Sequence, residues 1–239
     1  MIEYMDCTPI ADEIKAGISA KLVGCRPVLL VMRAGDAADD EMYLRGIRRD
    51  AEELGIDVVT DKRDDALSGL DGVLTLGEME YRPPMEWDVD NFRGGRQIRA
   101  VTEAALRVAE SRMVLAGKSA TVIGRGIGRE IARELIDRDA TVTLCHSRTR
   151  DYVMYEAICR ADVVFCAARD AKFYPANAKC EKLIVDISNS FNEKNDVLLR
   201  YNGHITITAR KGGVGAVTRA VLLDRIADNF RIRTGAARW

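Results

Sequence analysis

The chain has 239 residues, of which 47% are hydrophobic and 31% are charged, a composition typical of a folded protein rather than a disordered one. Its 36 lysines and arginines nearly balance 37 aspartates and glutamates, so the overall charge indicates no nucleic-acid partner. No apolar run approaches the ~18 residues that a membrane-spanning helix needs, and the N-terminal residues are acidic, unlike a signal peptide. We therefore predict a cytoplasmic protein that binds neither nucleic acid nor membrane.

The six cysteines and two histidines do not have the spacing of a metal site. No two cysteines form the Cys-x-x-Cys pair of zinc and dithiol sites. His146 and His204 are too far apart along the chain for a His-x-x-x-His pair. We expect no metal.

The N-terminal hundred residues alternate between helical and strand patterns. Over residues 9–23 apolar side chains recur every four positions, which predicts a helix. Residues 28–32 form a short apolar run that is typical of a strand buried on both faces. The remaining elements predicted here are a helix over 39–54 that ends at Gly55 and strands over 56–60 and 73–76. This alternation predicts a small α/β unit with a parallel sheet.

A second α/β series follows a region without periodicity. Residues 78–95 include two prolines and two glycines and predict a long loop. The predicted elements after it are a helix over 97–115, a strand over 120–123, a helix containing Ile131 and Leu135, a strand over 140–145, a helix over 152–160, strands over 163–167, 183–187 and 205–208, and a helix from about 217 to 230.

These elements predict an α/β fold with two domains. Residues 1–100, together with a C-terminal helix within 217–239 that packs back on them, are expected to form an N-terminal substrate domain. Residues 101–216 are expected to form a Rossmann-type NAD(P)-binding domain.

The first strand-to-helix turn of the second series is rich in glycine. It reads Gly124-Arg125-Gly126-Ile127-Gly128, and glycines at such a turn let the backbone approach a pyrophosphate at the helix N-terminus. The motif is one residue shorter than the usual Gly-x-Gly-x-x-Gly, and the alternative is a tight turn without a ligand. Its position between strand and helix favours dinucleotide binding.

The end of the second strand bears on the choice of cofactor. An NAD-binding protein places a carboxylate there for the ribose hydroxyls, whereas this chain has His146-Ser147-Arg148-Thr149. A guanidinium suits the 2′-phosphate of NADP, and Arg125 could add a second cation. We predict NADP, with NAD possible; the alternative is that both arginines are ordinary surface residues.

A second glycine cluster, Gly212-Gly213-Val214-Gly215, follows the last predicted strand. At the carboxyl end of a sheet such a loop can lie against a nicotinamide or a flat substrate. The alternative is a flexible linker into the last helix, although a linker would not need three glycines around a valine.

Three stretches, Cys145–Thr149, Leu183–Ile187 and above all Gly212–Leu222, resemble the NADP-binding half of the methylenetetrahydrofolate dehydrogenase/cyclohydrolase family. Upstream, Tyr43–Ile56 and Asp88–Asp90 resemble its substrate domain. The resemblance implies an NAD(P)-dependent dehydrogenase that acts on a carbon bonded to nitrogen in a small-molecule, folate-like substrate. It also implies a homodimer. Within the third stretch it implies cofactor contacts at Gly213, Val214, Gly215 and Thr218.

The resemblance also implies two site residues and the loss of the side chains that serve the cyclohydrolase step. The family's Tyr-x-x-x-Lys tyrosine, which stacks on the folate, corresponds to Tyr43, and the carboxylate that grips the pterin corresponds to Asp90. The family's lysine, which serves the cyclohydrolase step, is replaced by Ile47, and the segment with its assisting glutamine falls at Leu76-Gly77-Glu78. Apolar side chains cannot transfer protons, so we expect hydride transfer without cyclohydrolase activity.

Two other functions stay open at this point. The altered folate-facing positions are also compatible with an oxidoreductase of the same fold and cofactor that acts on another cyclic amine or imine. The third hypothesis is a non-catalytic nucleotide-binding protein.

Overall fold

The computed structural model describes residues 1–35, 38–60, 69–77, 83–84, 87–93, 95–169, 181–190 and 203–235. The chain divides into two compact units. Unit 1 consists of Met1–Ile10 and Val101–Val217, and unit 2 consists of Ala11–Ala100 and Thr218–Trp239. Among the described residues, no helix combines the length and the apolar character needed to cross a membrane.

The described secondary structure comprises eleven strands and six helices. In chain order they are β1 (Ile2–Met5), α1 (Thr8–Lys21), β2 (Val28–Arg33), α2 (Ala38–Glu53), β3 (Asp57–Thr60), β4 (Gly72–Leu76), β5 (Phe92–Arg93), β6 (Arg96–Gln97), α3 (Ala100–Glu110), β7 (Ser119–Ile123), α4 (Gly126–Ile136), β8 (Thr141–Cys145), α5 (Asp151–Arg160), β9 (Val163–Cys166), β10 (Lys182–Asp186), β11 (Ile205–Thr208) and α6 (Val214–Arg233).

Unit 1 contains a six-stranded sheet in the order β1-β11-β10-β9-β7-β8, and every pairing in it is parallel. Strand β9 near its centre is apolar along its whole length, as expected of a strand that is covered on both faces, and all four of its residues are buried. The core on one side of the sheet includes Ile123, Ile158, Val164 and Ile184.

Unit 2 contains a smaller parallel sheet in the order β3-β2-β4. From Thr218 onwards, the C-terminal helix α6 belongs to the same unit and bonds to it at several points. Arg233 Nε donates to Asp71 Oδ1 at 2.8 Å, and Lys21 Nζ donates to Asp224 Oδ1 at 2.6 Å. The helix therefore packs on the N-terminal segment, as the predicted fold class requires.

Four elements differ from the sequence prediction. Helix α3 spans Ala100–Glu110 rather than the predicted 97–115. Strand β1 pairs with β11 and so joins the unit 1 sheet, although residues 1–100 were expected to form one domain. The region 78–95, predicted as loop, contains β5, which pairs with β6 in an antiparallel ladder; residues 78–82, 85–86 and 94 lie outside the described part. Helix α6 begins at Val214, three residues before its predicted start.

Candidate nucleotide and substrate sites

The turn between β7 and α4 requires a glycine at its first position. Gly124 has a φ of +130°, and a Cβ there would lie 2.8 Å from the carbonyl oxygen of Ala167. Its backbone N–H donates to the carbonyl of Cys145 at 2.9 Å, which ties the turn to the end of β8. A side chain at this position would therefore strain the backbone and collide with the chain that follows β9.

The first turn of α4 faces open space at Gly126. The helix begins at Gly126, so Gly126, Ile127 and Gly128 are helical residues rather than loop residues as predicted, and the preceding Arg125 makes no side-chain hydrogen bond to the first turn. A Cβ on Gly126 would meet no atom within 4 Å, whereas one on Gly128 would lie 3.3 Å from Val122 Cγ1. Gly128 thus allows close packing, and the open space at Gly126 is compatible with a phosphate at the first helical N–H groups.

The strand order places this turn where ligands bind in parallel sheets. From β7 the chain first adds β8 on one side and then β9 on the other. Such a reversal opens a crevice at the carboxyl ends of the strands. The turn that contains Gly124 follows the carboxyl end of β7 and therefore lies at that position.

The segment after β8 forms a tight turn. His146 and Thr149 hold it together through hydrogen bonds, whereas Ser147 and Arg148 are exposed. The backbone N–H of His146 donates to Thr149 Oγ1 at 2.9 Å, and the N–H of Thr149 donates back to the carbonyl of His146 at 2.8 Å. His146 Nδ1 also accepts a hydrogen bond from the backbone of Arg148 at 3.2 Å. The side chains of Ser147 and Arg148 are left exposed on the turn, where they can bind a phosphate.

The second glycine cluster has a local structural explanation for two of its glycines. Gly212 has a φ of +75°, and a Cβ there would lie 2.6 Å from Asp6 Oδ1. A Cβ on Gly213 would collide with the carbonyl of Ala209. The turn itself therefore requires these two glycines, whether or not a cofactor lies against it. Val214 and Gly215 start α6, Thr218 is buried on it, and the predicted cofactor contacts at 213–215 and 218 stay predictions.

In unit 2, Tyr43 projects from α2 among charged groups. Its side chain is half-buried, and burial raises the pKa of the phenol well above its usual value. The charge of Asp90 raises this pKa further, and that of Arg219 opposes it. The hydroxyl is therefore neutral and can donate a hydrogen bond. One turn along the helix Ile47 is fully buried, and Leu76 at the end of β4 is also buried; Glu78 lies outside the described residues.

Asp90 lies in a turn that α6 holds in place. Asn91 Nδ2 donates to both carboxylate oxygens of Asp88 at 3.0 Å, which closes the turn on one side. The Arg225 guanidinium donates to the carbonyls of Val89 at 2.9 Å and of Asp90 at 3.1 Å. Since Arg225 is only 1% exposed, this support is buried and rigid.

The sequence reasoning missed Asp50 and Arg219. Arg219 Nε donates to Asp50 Oδ2 at 2.7 Å, and a Cβ on Gly46 would lie 3.1 Å from the Cδ and Nε of Arg219. Asp50 follows Tyr43 by seven residues and so shares its helix face, which is the only sequence signal for it. Arg219 comes from α6, more than a hundred residues away, and no periodicity connects the two.

The parallel sheet, its reversal at β7 and the open α4 N-terminus define a dinucleotide-binding α/β protein. Residues 101–234 match the family model described as "Tetrahydrofolate dehydrogenase/cyclohydrolase, NAD(P)-binding domain". The chain therefore belongs to the tetrahydrofolate dehydrogenase/cyclohydrolase family. This finding confirms the predicted family, the fold class, the NAD(P) cofactor and, with them, an NAD(P)-dependent dehydrogenase.

Individual proteins resemble the chain over nearly its whole length. The "Bifunctional protein FolD" of Methanospirillum hungatei is 30% identical over 256 residues, which cover 89% of this chain and 91% of that protein. The solved FolD structure from Campylobacter jejuni has a TM-score of 0.78 at 20% identity and covers 98% of this chain and 100% of its own. A Trypanosoma brucei methylenetetrahydrofolate dehydrogenase-cyclohydrolase, crystallised with NADP and an inhibitor, has a TM-score of 0.77 at 20% identity and covers 98% of each chain.

Proposed function

We propose that this protein is a 5,10-methylenetetrahydrofolate dehydrogenase that uses NADP and lacks cyclohydrolase activity. The observation that carries the proposal is the β7–α4 turn, where a glycine that tolerates no side chain precedes a helix whose first residue, Gly126, faces open space and whose N-cap residue makes no side-chain hydrogen bond to it. Relatives along nearly the whole chain are FolD proteins, which supports folate as the substrate class.

The residues after β8 support NADP over NAD. No carboxylate occurs in this turn to accept the ribose hydroxyls, while Ser147 and Arg148 are exposed on it. The guanidinium of Arg148 can form paired hydrogen bonds to a 2′-phosphate, and the exposed Arg125 adds positive charge at the neighbouring turn. His146 and Thr149 contribute by fixing the turn.

Hydride transfer requires the protein to hold and orient rather than to move protons. A bound nicotinamide supplies the hydride acceptor. The methylene carbon of the substrate lies between two nitrogens whose lone pairs stabilise the resulting cation, so the step needs no base. In this proposal, Tyr43 supplies a neutral hydroxyl and an aromatic face, and Asp90 supplies a carboxylate for the pterin on a turn that Arg225 holds.

We infer the absence of cyclohydrolase activity from the apolar residues at the two positions that correspond to the family's lysine and glutamine segment. Hydrolysis of the methenyl product needs a group that transfers a proton. The position one turn after Tyr43 holds Ile47, which is fully buried, and Leu76 is buried as well. We expect the protein to leave the rate of methenyltetrahydrofolate hydrolysis unchanged; a clear acceleration by purified protein would contradict this part of the proposal.

The dehydrogenase activity is tested by mixing purified protein with methylenetetrahydrofolate and either NADP or NAD. We expect absorbance from the reduced cofactor and the methenyl product, with NADP the better substrate. If the absorbance does not change although NADP binds, folate is not the substrate, and another cyclic amine or imine is favoured. If neither NADP nor NAD binds, the protein is not an NAD(P)-dependent oxidoreductase with either substrate.

We also propose a homodimer, which the family resemblance implies. Within the described residues β8 ends the unit 1 sheet and pairs on one side only, with β7. On this strand Leu144 is 38% exposed, and Tyr152 on the following helix is 60% exposed. An exposed strand edge with apolar neighbours favours pairing with another chain. Light scattering that gives the mass of a monomer would contradict the dimer. The cytoplasmic localisation stays a prediction.

A further inference from the structure

A hydrogen-bonded network joins the carboxyl ends of β9 and β10 in unit 1. Ser188 Oγ and Ser190 Oγ donate to the same acceptor, the carbonyl oxygen of Ala168, at 2.9 and 2.7 Å, and the two hydroxyl oxygens lie 2.8 Å apart. A carbonyl oxygen has two lone pairs and can accept both bonds. The chain after β10 therefore holds the chain after β9 through two side chains.

The two serines lie on a turn that is itself fixed to the sheet. The backbone N–H of Ser190 donates to Asp186 Oδ1 at 3.1 Å. Asp186 is only 5% exposed, and its own N–H donates to Thr208 Oγ1 on β11 at 2.9 Å. Asn189, between the serines, has a φ of +54°, a left-handed conformation that asparagine adopts more readily than most residues. This turn brings both hydroxyls to one carbonyl.

The carbonyl that the serines hold belongs to the chain segment that packs on Gly124. A Cβ at Gly124 would lie 2.8 Å from the carbonyl oxygen of Ala167 and 3.2 Å from the backbone nitrogen of Ala168, so the peptide group between these two alanines lies directly against the glycine. The backbone N–H of Ala167 donates to the carbonyl of Ile123, the last residue of β7, at 2.8 Å. The serines therefore act on the peptide group that borders the β7–α4 turn.

The position of this network in the sheet indicates a role in nucleotide binding. Strands β10, β9 and β7 are neighbours in the sheet, and the residues of the network follow the carboxyl ends of β9 and β10, the edge where ligands bind in parallel sheets. A turn that is fixed before a ligand arrives binds it more tightly, because binding does not have to order the turn. Two serine hydroxyls that hold the neighbouring peptide supply such order.

We propose that Ser188 and Ser190 are positioning residues of the nucleotide site: by holding the Ala168 carbonyl they fix the Ala167–Ala168 peptide against Gly124 and so set the shape of the β7–α4 turn before NADP binds. This inference rests on the proposed function, which places the pyrophosphate at that turn. It adds two residues that reach the cofactor only through the backbone they hold.

The test measures NADP affinity by calorimetric titration in variants that lack the two hydroxyls. We expect Ser188→Ala/Ser190→Ala to raise the Kd for NADP by about five- to thirty-fold, the equivalent of one to two ordinary hydrogen bonds. Ser188→Ala/Ser190→Thr keeps one hydroxyl donor and recovers part of the loss. The matched control is Ser111→Ala, because Ser111 Oγ also donates to a backbone carbonyl in unit 1, that of Val108, at 2.7 Å; it keeps wild-type affinity.

Hydrogen exchange of the ligand-free proteins separates positioning from general stability. The amides of Gly124 and Ala167 are bonded to the carbonyls of Cys145 and Ile123, so they report on the turn and on the peptide against it. In the double alanine variant we expect both amides to exchange faster than in wild-type protein, while the amides of α5 exchange as before. Faster exchange throughout unit 1, with a lowered Tm, would assign the serines to general stability and overturn the inference.

The inference and the proposed function fail in different ways. If wild-type protein binds no NADP, the proposed nucleotide site is wrong and the inference falls with it. If wild-type protein binds NADP and Gly126→Ala weakens this binding, but the double serine variant keeps wild-type affinity, the inference alone is overturned. Weakened NADP binding in a folded double variant, together with faster exchange at Gly124 and Ala167, supports it.

Discussion

Two alanine substitutions in the β7–α4 turn separate the fold from nucleotide binding. Gly124→Ala introduces a Cβ at 2.8 Å from the Ala167 carbonyl oxygen on a backbone with φ of +130°. Backbone strain of this kind costs about 1–3 kcal/mol, and the forced contact adds to it. A total of about 3 kcal/mol lowers the Tm by roughly 6–12 °C in a protein of this size, and the displaced turn also loses NADP affinity.

Gly126→Ala, in contrast, is expected to weaken NADP binding without lowering the stability of the protein. The added Cβ meets no protein atom within 4 Å, and alanine in a helix is more favourable than glycine by up to about 1 kcal/mol. Stability is therefore kept or slightly raised. The methyl group occupies the space through which a phosphate approaches the first N–H groups of α4, and loss of a hydrogen bond to a charged group weakens NADP binding by about ten- to a hundred-fold.

Thermal unfolding and calorimetric titration with NADP measure both effects on the same samples. Gly17→Ala is the matched control, because Gly17 is exposed on α1 and a Cβ there also meets nothing within 4 Å. This control keeps wild-type NADP affinity. Wild-type affinity in a folded Gly126→Ala protein would refute the reasoning, since the pyrophosphate would then bind elsewhere.

Two further predictions concern single charges. Arg148→Ala should weaken NADP by about ten- to a hundred-fold and NAD much less, because it removes a charged donor to the 2′-phosphate; equal losses in calorimetric titrations would contradict its role. Asp224→Asn should lower stability at neutral pH by about 2 kcal/mol, since Lys21 and Arg93 each contact this buried carboxylate at 2.6 Å. Burial raises the pKa of Asp224, but these cations outweigh it and hold the pKa below its usual value. The contribution is therefore present above about pH 4, the unfolded pKa, and is lost as pH falls through the folded one. Wild-type Tm should thus fall more steeply on acidification than that of the variant, and parallel curves would contradict this.

The apolar patterns predicted most elements because each depends on residues close in sequence. Strands β2, β7 and β9 are largely buried. Strands that are buried on both faces have mostly apolar sequences, so they can be recognised from the sequence. Strand β1 was missed because only its last residue, Met5, is buried, and its formation depends on pairing with β11 at the other end of the chain. The β5–β6 hairpin has two residues per strand, too few to show a period.

In the candidate site, too, the features with a local cause could be predicted from the sequence, and those that depend on distant residues could not. The turn at Gly124 could be predicted because a glycine motif between a strand and a helix has a local physical cause. The pair Asp50–Arg219 could not, because it joins two helices that tertiary packing alone brings together. Arg225 was also missed, since a buried arginine that bonds to the carbonyls of Val89 and Asp90 contradicts the usual expectation that arginine is exposed.

The central claim is that the protein moves a hydride from the bridging carbon of a folate to NADP. The most direct measurement uses methylenetetrahydrofolate with deuterium on the methylene carbon, followed by mass spectrometry of the nicotinamide product. We predict that deuterium appears in NADPH and that, if hydride transfer limits turnover, the rate is slower than with the unlabelled substrate. NADPH that forms without deuterium, or no NADPH at all under conditions where NADP binds, would contradict it.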